Sequence, residues 1–444
     1  MPQQVELKRS MGIWSGLSLV VGTVIGSGIF FKQAGVLQTA GSSTLGLLAW
    51  LTGGIITLAA GLTIAEIGAR LPKTGGLYSY IESLYGPVAG FLTGWMQVVI
   101  YAPAVIASIA GYAAFLTANF LGLPTSSATW IAVLYVAFIA GINLFENRVA
   151  ASFQVITTSI KLIPIAILII YGLFFGKVNA LGQTVSDTVS HGGGFGMAIL
   201  ATLFAYDGWI LLANIAGELK NPRRDLPRSI VGGVSLIVVA YVGVSFGVYR
   251  ALPSDQIVAL QNNATFAVVR TAFGDFGGRA LSITIIISML GTLNGKMISF
   301  PRMAYAMALD GLFPKYLSKL TPKTQEPTNA ILTVSLMTIT LAVLYTNGVD
   351  RLSDIAIFTI WIFYTAAFFG VFILRRKKLD KNVDPATLFK TPLFPATPLV
   401  AIIGALFVIG STIMNDFSGA VISIALVLIG LPVFYYYHHK REQP

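Results

Sequence analysis

Twelve apolar segments divide this 444-residue chain, at about 11–37, 43–69, 86–119, 126–145, 151–176, 193–217, 228–251, 279–309, 330–346, 351–374, 396–414 and 418–437. A helix that crosses the hydrocarbon core of a bilayer needs about 20 mostly apolar residues, and most of these runs reach that length. No two-residue alternation of the β-barrel kind accompanies them. The chain is therefore expected to be an all-α polytopic membrane protein of twelve transmembrane helices. Charged residues make up 11% of it, against about 25% in soluble domains.

The charges that remain set an orientation. Of the 29 Lys and Arg residues, 20 fall on the side that holds the N-terminus, five on the other side and four within spans. Lys8, Arg9, Arg70, Lys73, Arg148 and the run Arg375–Lys378 belong to the richer side. A cationic bias of this kind marks cytoplasmic loops, so both termini are expected inside. It also accounts for the net charge of +11 through anionic lipid headgroups, with no nucleic acid partner. The first segment lacks a small-residue cleavage site and is expected to be retained as a span.

Classes of chemistry are excluded as well. There is no cysteine, which removes disulfides, thiolate metal sites and a covalent link to a partner subunit. No Walker A loop and no H-E-x-x-H motif is present, and His191, His438 and His439 lie in a loop and the C-terminal tail. Neither an enzyme nor a resident metal or cofactor is expected.

Inside the first span stands Gly22-Thr-Val-Ile-Gly-Ser-Gly-Ile-Phe30. Glycine costs roughly 1 kcal/mol against alanine in a helix interior. Gly22 and Gly26 fit the small-xxx-small pattern of close helix packing. They equally fit a helix broken within the membrane, whose bare N–H groups aim at an anion. The sixth span carries a counterpart, Thr202-Leu-Phe-Ala-Tyr-Asp-Gly-Trp209. Interruptions at corresponding places in two halves of a chain point to a transporter binding site, which favours the broken helix. Phe204 is then placed to cover a site, and Asp207 to offer its backbone carbonyl while its side chain supports the break. Tyr206 has the ordinary reading of a core or lipid-facing aromatic.

Lys161 sits ten residues into the fifth span, roughly 15 Å from its start, which is too deep to snorkel. An intramembrane ammonium should face protein. Donation to carbonyls freed by the break in span 1 would place it where sodium-coupled transporters hold a metal ion, and a buried lysine is also a candidate proton carrier. Lys296 in span 8 either lines a pathway or snorkels. Glu66 and Arg70 are expected to pair at i,i+4. Glu218, near Arg223 and Arg224, could form a cytoplasmic gate but is expected in a solvated loop, and the polar stretch 220–227 is expected to be a cytoplasmic loop. Around 264–273 an apolar periodicity predicts a surface helix, and Leu71-Pro-Lys-Thr-Gly-Gly76 predicts a turn.

Gly26-Ser27-Gly28, Phe204–Trp209, Lys161 and the Leu71–Gly76 turn together resemble the amino acid–polyamine–organocation superfamily. Within it they resemble the L-type amino acid transporter branch and its bacterial serine/threonine or alanine/serine/cysteine exchangers. The resemblance covers nearly the whole chain. It implies a LeuT-like fold of five plus five helices in inverted repeat, 11–176 and 193–374, with helices 1 and 6 discontinuous and two further helices at 396–437. It implies sodium-independent exchange of small neutral L-amino acids such as Ala, Ser, Thr and Cys across a bacterial plasma membrane. By motif, the substrate carboxylate would sit on Gly26, Ser27 and Gly28, and the ammonium on carbonyls of Val24, Phe204 and Asp207. Ala102 and Ala205 would leave room for a side chain, and Phe204 would be the lid. Lys161 would tie span 5 to Gly22 and to span 8 near Ser288. With no cysteine in the chain, the disulfide-linked heavy subunit of eukaryotic members is not expected. The alternatives are a proton-coupled symporter and, from another class, a sensor or channel that binds without exchange.

Overall fold

The computed structural model describes residues 9–71, 74–145, 147–186, 194–344, 349–377 and 388–442. Lys8, Pro72, Lys73, His191, Gly192, Gly193 and Lys378 lie outside them. The described residues are overwhelmingly helical, with two isolated bridges, Met11 to Leu219 and Ser42 to Thr184. Among the described residues ten helices are long and apolar enough to cross a membrane, and two shorter apolar helices, Gly194–Ala205 and Thr328–Leu344, accompany them.

The first span comes in two pieces, α1 (Ile13–Val24) and α2 (Gly28–Phe31). Between them Ile25 turns to φ −71°, ψ 90°, which ends the helix. Beyond α2 the chain runs on through Lys32 into the helix Gln33–Ala40. Lys32 N–H donates to Gly28 O at 2.9 Å and Val36 N–H to Lys32 O at 2.9 Å. Next come α3 (Ser43–Arg70), α4 (Pro87–Leu121), α5 (Ala128–Leu144) and α6 (Asn147–Phe175). Ser42 caps α3 by accepting from Leu45 N–H. Within α4 one π-helical turn, Met96–Tyr101, precedes Pro103; such turns rotate the side chains that follow them and recur at functional sites.

The sixth span is also in two pieces, α7 (Gly194–Ala205) and α8 (Leu211–Asn214), joined by the turn Tyr206–Ile210. Gly208 has φ +117° there, a conformation that a side chain would oppose. Its neighbour across the gap is the Thr23 backbone, so the two interruptions face each other.

The polar stretch 220–227 departs from its expected loop: α9 (Pro222–Ala251) begins inside it. Pro222 occupies the first turn, where a missing N–H costs nothing. Asp225 adds a carboxylate at the positive end of the helix. The expected surface helix is found as Ser254–Leu260 followed by the start of α10 (Ala264–Leu309), which bends at Gly274 (φ +65°) before crossing the core. α11 (Thr328–Leu344), α12 (Val349–Lys377), α13 (Ala396–Asn415) and α14 (Phe417–Leu428) follow. α1 is enclosed by α6, α9 and α10, so the break in the first span lies in the centre of the protein. That location satisfies the rule that irregular backbone at membrane depth must be buried in protein or line a cavity.

The predicted Glu66–Arg70 pair is present at 2.8 Å. Glu66 also accepts from Arg375 Nε and Nη2, at 2.8 and 2.7 Å, and from Thr391 N–H at 2.8 Å, which fastens α3 to α12. Glu218 departs from its reading as a solvated loop residue. It is buried and accepts from Arg302 Nε of α10 at 2.8 Å, and the same guanidinium reaches Glu326 at 2.7 Å. A carboxylate without water needs a fixed cation, and Arg302 is that cation.

Candidate functional site

The break in the first span leaves the N–H groups of Gly26, Ser27, Gly28 and Ile29 without an acceptor among the described residues. It also releases carbonyls on the opposite side, and these are taken up. Lys161 Nζ of α6 donates to Gly22 O at 2.8 Å and to Ile25 O at 2.5 Å, and lies 3.3 Å from Thr292 Oγ1. Thr292 lies within donating distance of the same two carbonyls, at 3.0 and 3.2 Å, and Ser288 donates to Ile25 O at 3.2 Å. Lys161 is wholly buried. Ser288 thus shares a carbonyl with Lys161 rather than meeting it, and Thr292 is the side chain of span 8 that does.

Gly22 and Gly26–Gly28 do different work. A side chain at Gly22 would run into Gln154 and Thr158 of α6, so that glycine permits the close packing that brings Lys161 within reach. A Cβ on Gly28 would stand 2.8 Å from Ala205 Cβ and 2.9 Å from Ala205 Cα. The start of α2 therefore crosses the end of α7 in backbone contact. Thr23 Oγ1 lies 3.1 Å from Gly208 O, and Tyr241 Oη of α9 lies 3.2 Å from Val24 O and 3.1 Å from Ala205 O. Both breaks are pinned to one another by these groups.

Asp207 faces a second set of partners. Tyr101 Oη donates to its carboxylate, Tyr364 Oη lies 3.5 Å away and Lys296 Nζ 3.9 Å away. Lys296 is buried and does not snorkel. The carboxylate thereby links the break in span 6 to α4, α10 and α12. Phe204 O accepts Asp207 N–H at 3.3 Å, which closes the turn.

Two cavities meet at the breaks. A vestibule of about 1540 Å³ opens at the face that carries Gln261–Asn263 and narrows to Ser27, Gly28, Lys32 and Phe204. Beneath it a cavity of about 40 Å³ is lined by Val24, Gly26, Ser27, Gly28, Phe204, Ala205, Asp207 and Lys296, among others. Ser27, Gly28, Tyr112 and Phe204 border both, so the Phe204 side chain stands at the passage from one to the other. Every residue proposed from the sequence to touch substrate borders the inner cavity. Ala102 borders neither. Sequence reasoning missed Thr23, Tyr101, Tyr241, Thr292 and Tyr364. A tyrosine or threonine in an apolar run carries no signal of its own, and only the proline at 103 hinted at the irregular turn that precedes it.

Two discontinuous helices crossing at a buried cavity, in a bundle of membrane-length helices, define a membrane transporter. The chain belongs to the amino acid permease family, whose model matches residues 11–434. It is 44% identical over 435 residues to the serine/threonine exchanger SteT of Bacillus subtilis, with 97% of each chain covered. It is 31% identical over 458 residues to the large neutral amino acids transporter small subunit 2 of Mus musculus, covering 99% of this chain and 83% of that one. With the human cystine/glutamate transporter the identity is 27% over 449 residues, at 100% and 88% coverage. These relatives place it in the L-type branch of the amino acid–polyamine–organocation superfamily, among transporters and not enzymes.

Alanine at Gly28 tests the crossing of α2 over α7. The added methyl group has to push Ala205 backbone aside, an overpacking that costs about 1–3 kcal/mol. Initial rates of amino acid uptake into proteoliposomes are expected to drop roughly tenfold. An undiminished rate would mean that the two breaks have slack between them.

Proposed function

We propose that the protein is a sodium-independent exchanger of small neutral L-amino acids, such as Ala, Ser, Thr and Cys, that works by alternating access. The observation that carries this reading is the Lys161 ammonium on the Gly22 and Ile25 carbonyls. A fixed cation there leaves no role for sodium in holding the break together. A zwitterion suits what remains: free N–H groups at Gly26, Ser27 and Gly28 for its carboxylate, and carbonyls of Val24, Phe204 and Asp207 for its ammonium. Phe204 serves as the lid. The small inner cavity, with Ala205 in its wall, favours a short side chain, and the name of the Bacillus subtilis relative supports the same choice.

In this reading 11–176 and 193–374 are inverted repeats and 396–437 is an addition outside them. The chain lies in a bacterial plasma membrane with both termini in the cytoplasm, so the vestibule faces outward. It works without a disulfide-linked heavy subunit.

Counterflow tests the proposal. Vesicles preloaded with serine should take up labelled serine or alanine many times faster than empty ones, with or without sodium. Equal uptake by loaded and empty vesicles sinks the exchanger. Accumulation driven by a pH gradient alone would instead favour a proton-coupled symporter, and binding without flux a sensor.

A further inference from the structure

Lys32 ends α2 at the floor of the vestibule, half-buried, with its ammonium 5.0 Å from the centroid of the Phe204 ring. It borders the vestibule and not the inner cavity, whereas Phe204 borders both. Among the described residues the ammonium makes no ion pair and no side-chain hydrogen bond. The vestibule's own carboxylate, Asp275, is engaged by Arg270 at 2.7 Å. What Lys32 has instead is the face of an aromatic ring. A cation over a ring face is attracted by the ring's quadrupole, and more so where water is scarce.

We infer that Lys32 is a lid-positioning residue. Its ammonium holds the Phe204 ring where the vestibule stays open to the inner cavity. A carboxylate descending the vestibule is a stronger partner for an ammonium than a ring face is. Its arrival draws Lys32 off the ring, and Phe204 is then free to move over the bound molecule. Lid closure is thereby coupled to the one group that every amino acid carries. The inference rests on the reading of Phe204 as the lid.

The absence of native cysteine makes the test direct. A single thiol is introduced by Ile109→Cys, a position that borders the inner cavity but not the vestibule and so is reached only past Phe204. Its reaction with a neutral maleimide, which the charge at position 32 does not steer, is timed on purified full-length protein without substrate. Lys32→Met keeps the length of the side chain and removes the charge, and Lys32→Arg keeps a cation. In the Phe204 background Lys32→Met should slow labelling about threefold or more, the range expected for loss of a cation–π contact, while Lys32→Arg stays near the parent rate. In the Phe204→Leu background, where no ring remains, Lys32→Met should change nothing.

The inference falls if Lys32→Met is silent in both backgrounds or acts equally in both. The lid reading is judged separately, from the exchange rate of Phe204→Leu alone. If that variant exchanges as the parent does, the lid reading fails. If it is impaired and yet shows no coupling to Lys32, only the inference fails.

Discussion

Lys161→Ala is expected to cripple amino acid exchange and to leave the protein folded. The ammonium makes two donations to the carbonyls of the break, at 2.8 and 2.5 Å, and charged donors of this kind are worth about 1.5–3 kcal/mol each. Their loss corresponds to a fall in exchange of about a hundredfold or more. Folding suffers less for a specific reason. Thr292 lies within donating distance of Gly22 O and Ile25 O, and Ser288 donates to Ile25 O, so neither carbonyl is stranded. The substitution also removes an ammonium that is costly to bury. Counterflow rate and thermal stability of the purified protein, measured side by side, separate the two effects. A parental rate in the variant would remove Lys161 from the transport mechanism.

Arg302→Met has the opposite profile: it fails at the level of folding. Glu218 and Glu326 are both buried against the guanidinium, and without it both lose a hydrogen-bonded cation in a dry interior. Breaking a buried ion pair from one side costs about 3–5 kcal/mol. Loss of monodisperse protein, or a large drop in melting temperature, is expected. Adding Glu218→Gln and Glu326→Gln to Arg302→Met should recover much of the loss, because amides can be buried at far lower cost than carboxylates. If the triple variant is as unstable as the single one, the damage comes from the shape of the arginine and not from its charge.

These two cations mark how far the sequence could be read. Lys161 was legible because an ammonium ten residues into an apolar helix must have partners, and the glycine-rich break in the first span was the natural source of free carbonyls. The crossing of the two breaks was legible for a related reason, since Gly26-Ser27-Gly28 and Ala205–Gly208 are locally poor helix. Glu218 was misread because Arg223 and Arg224 are near it along the chain, whereas its real partner is 84 residues away. The polyhedron of groups around Asp207 was invisible for the same reason. Tyr101, Lys296 and Tyr364 come from three different helices, and nothing local to any of them points at a carboxylate. Pro222 was ambiguous in itself, because proline suits both a loop and the first turn of a helix.

The short ladder between the chain before α1 and the chain after α8 has a mechanical meaning. Met11 N–H donates to Glu218 O at 3.1 Å, and Lys220 N–H to Met11 O at 2.9 Å. The residue just before α1 is thus riveted to the segment just after α8. The inner arms of both broken helices are coupled parts of a single lever, and Arg302 clasps that lever to α10. Spreading the two arms apart would strip the rivet. On the exchanger reading proposed above, the two arms would therefore move together, with the Glu218–Arg302 clasp holding them to α10.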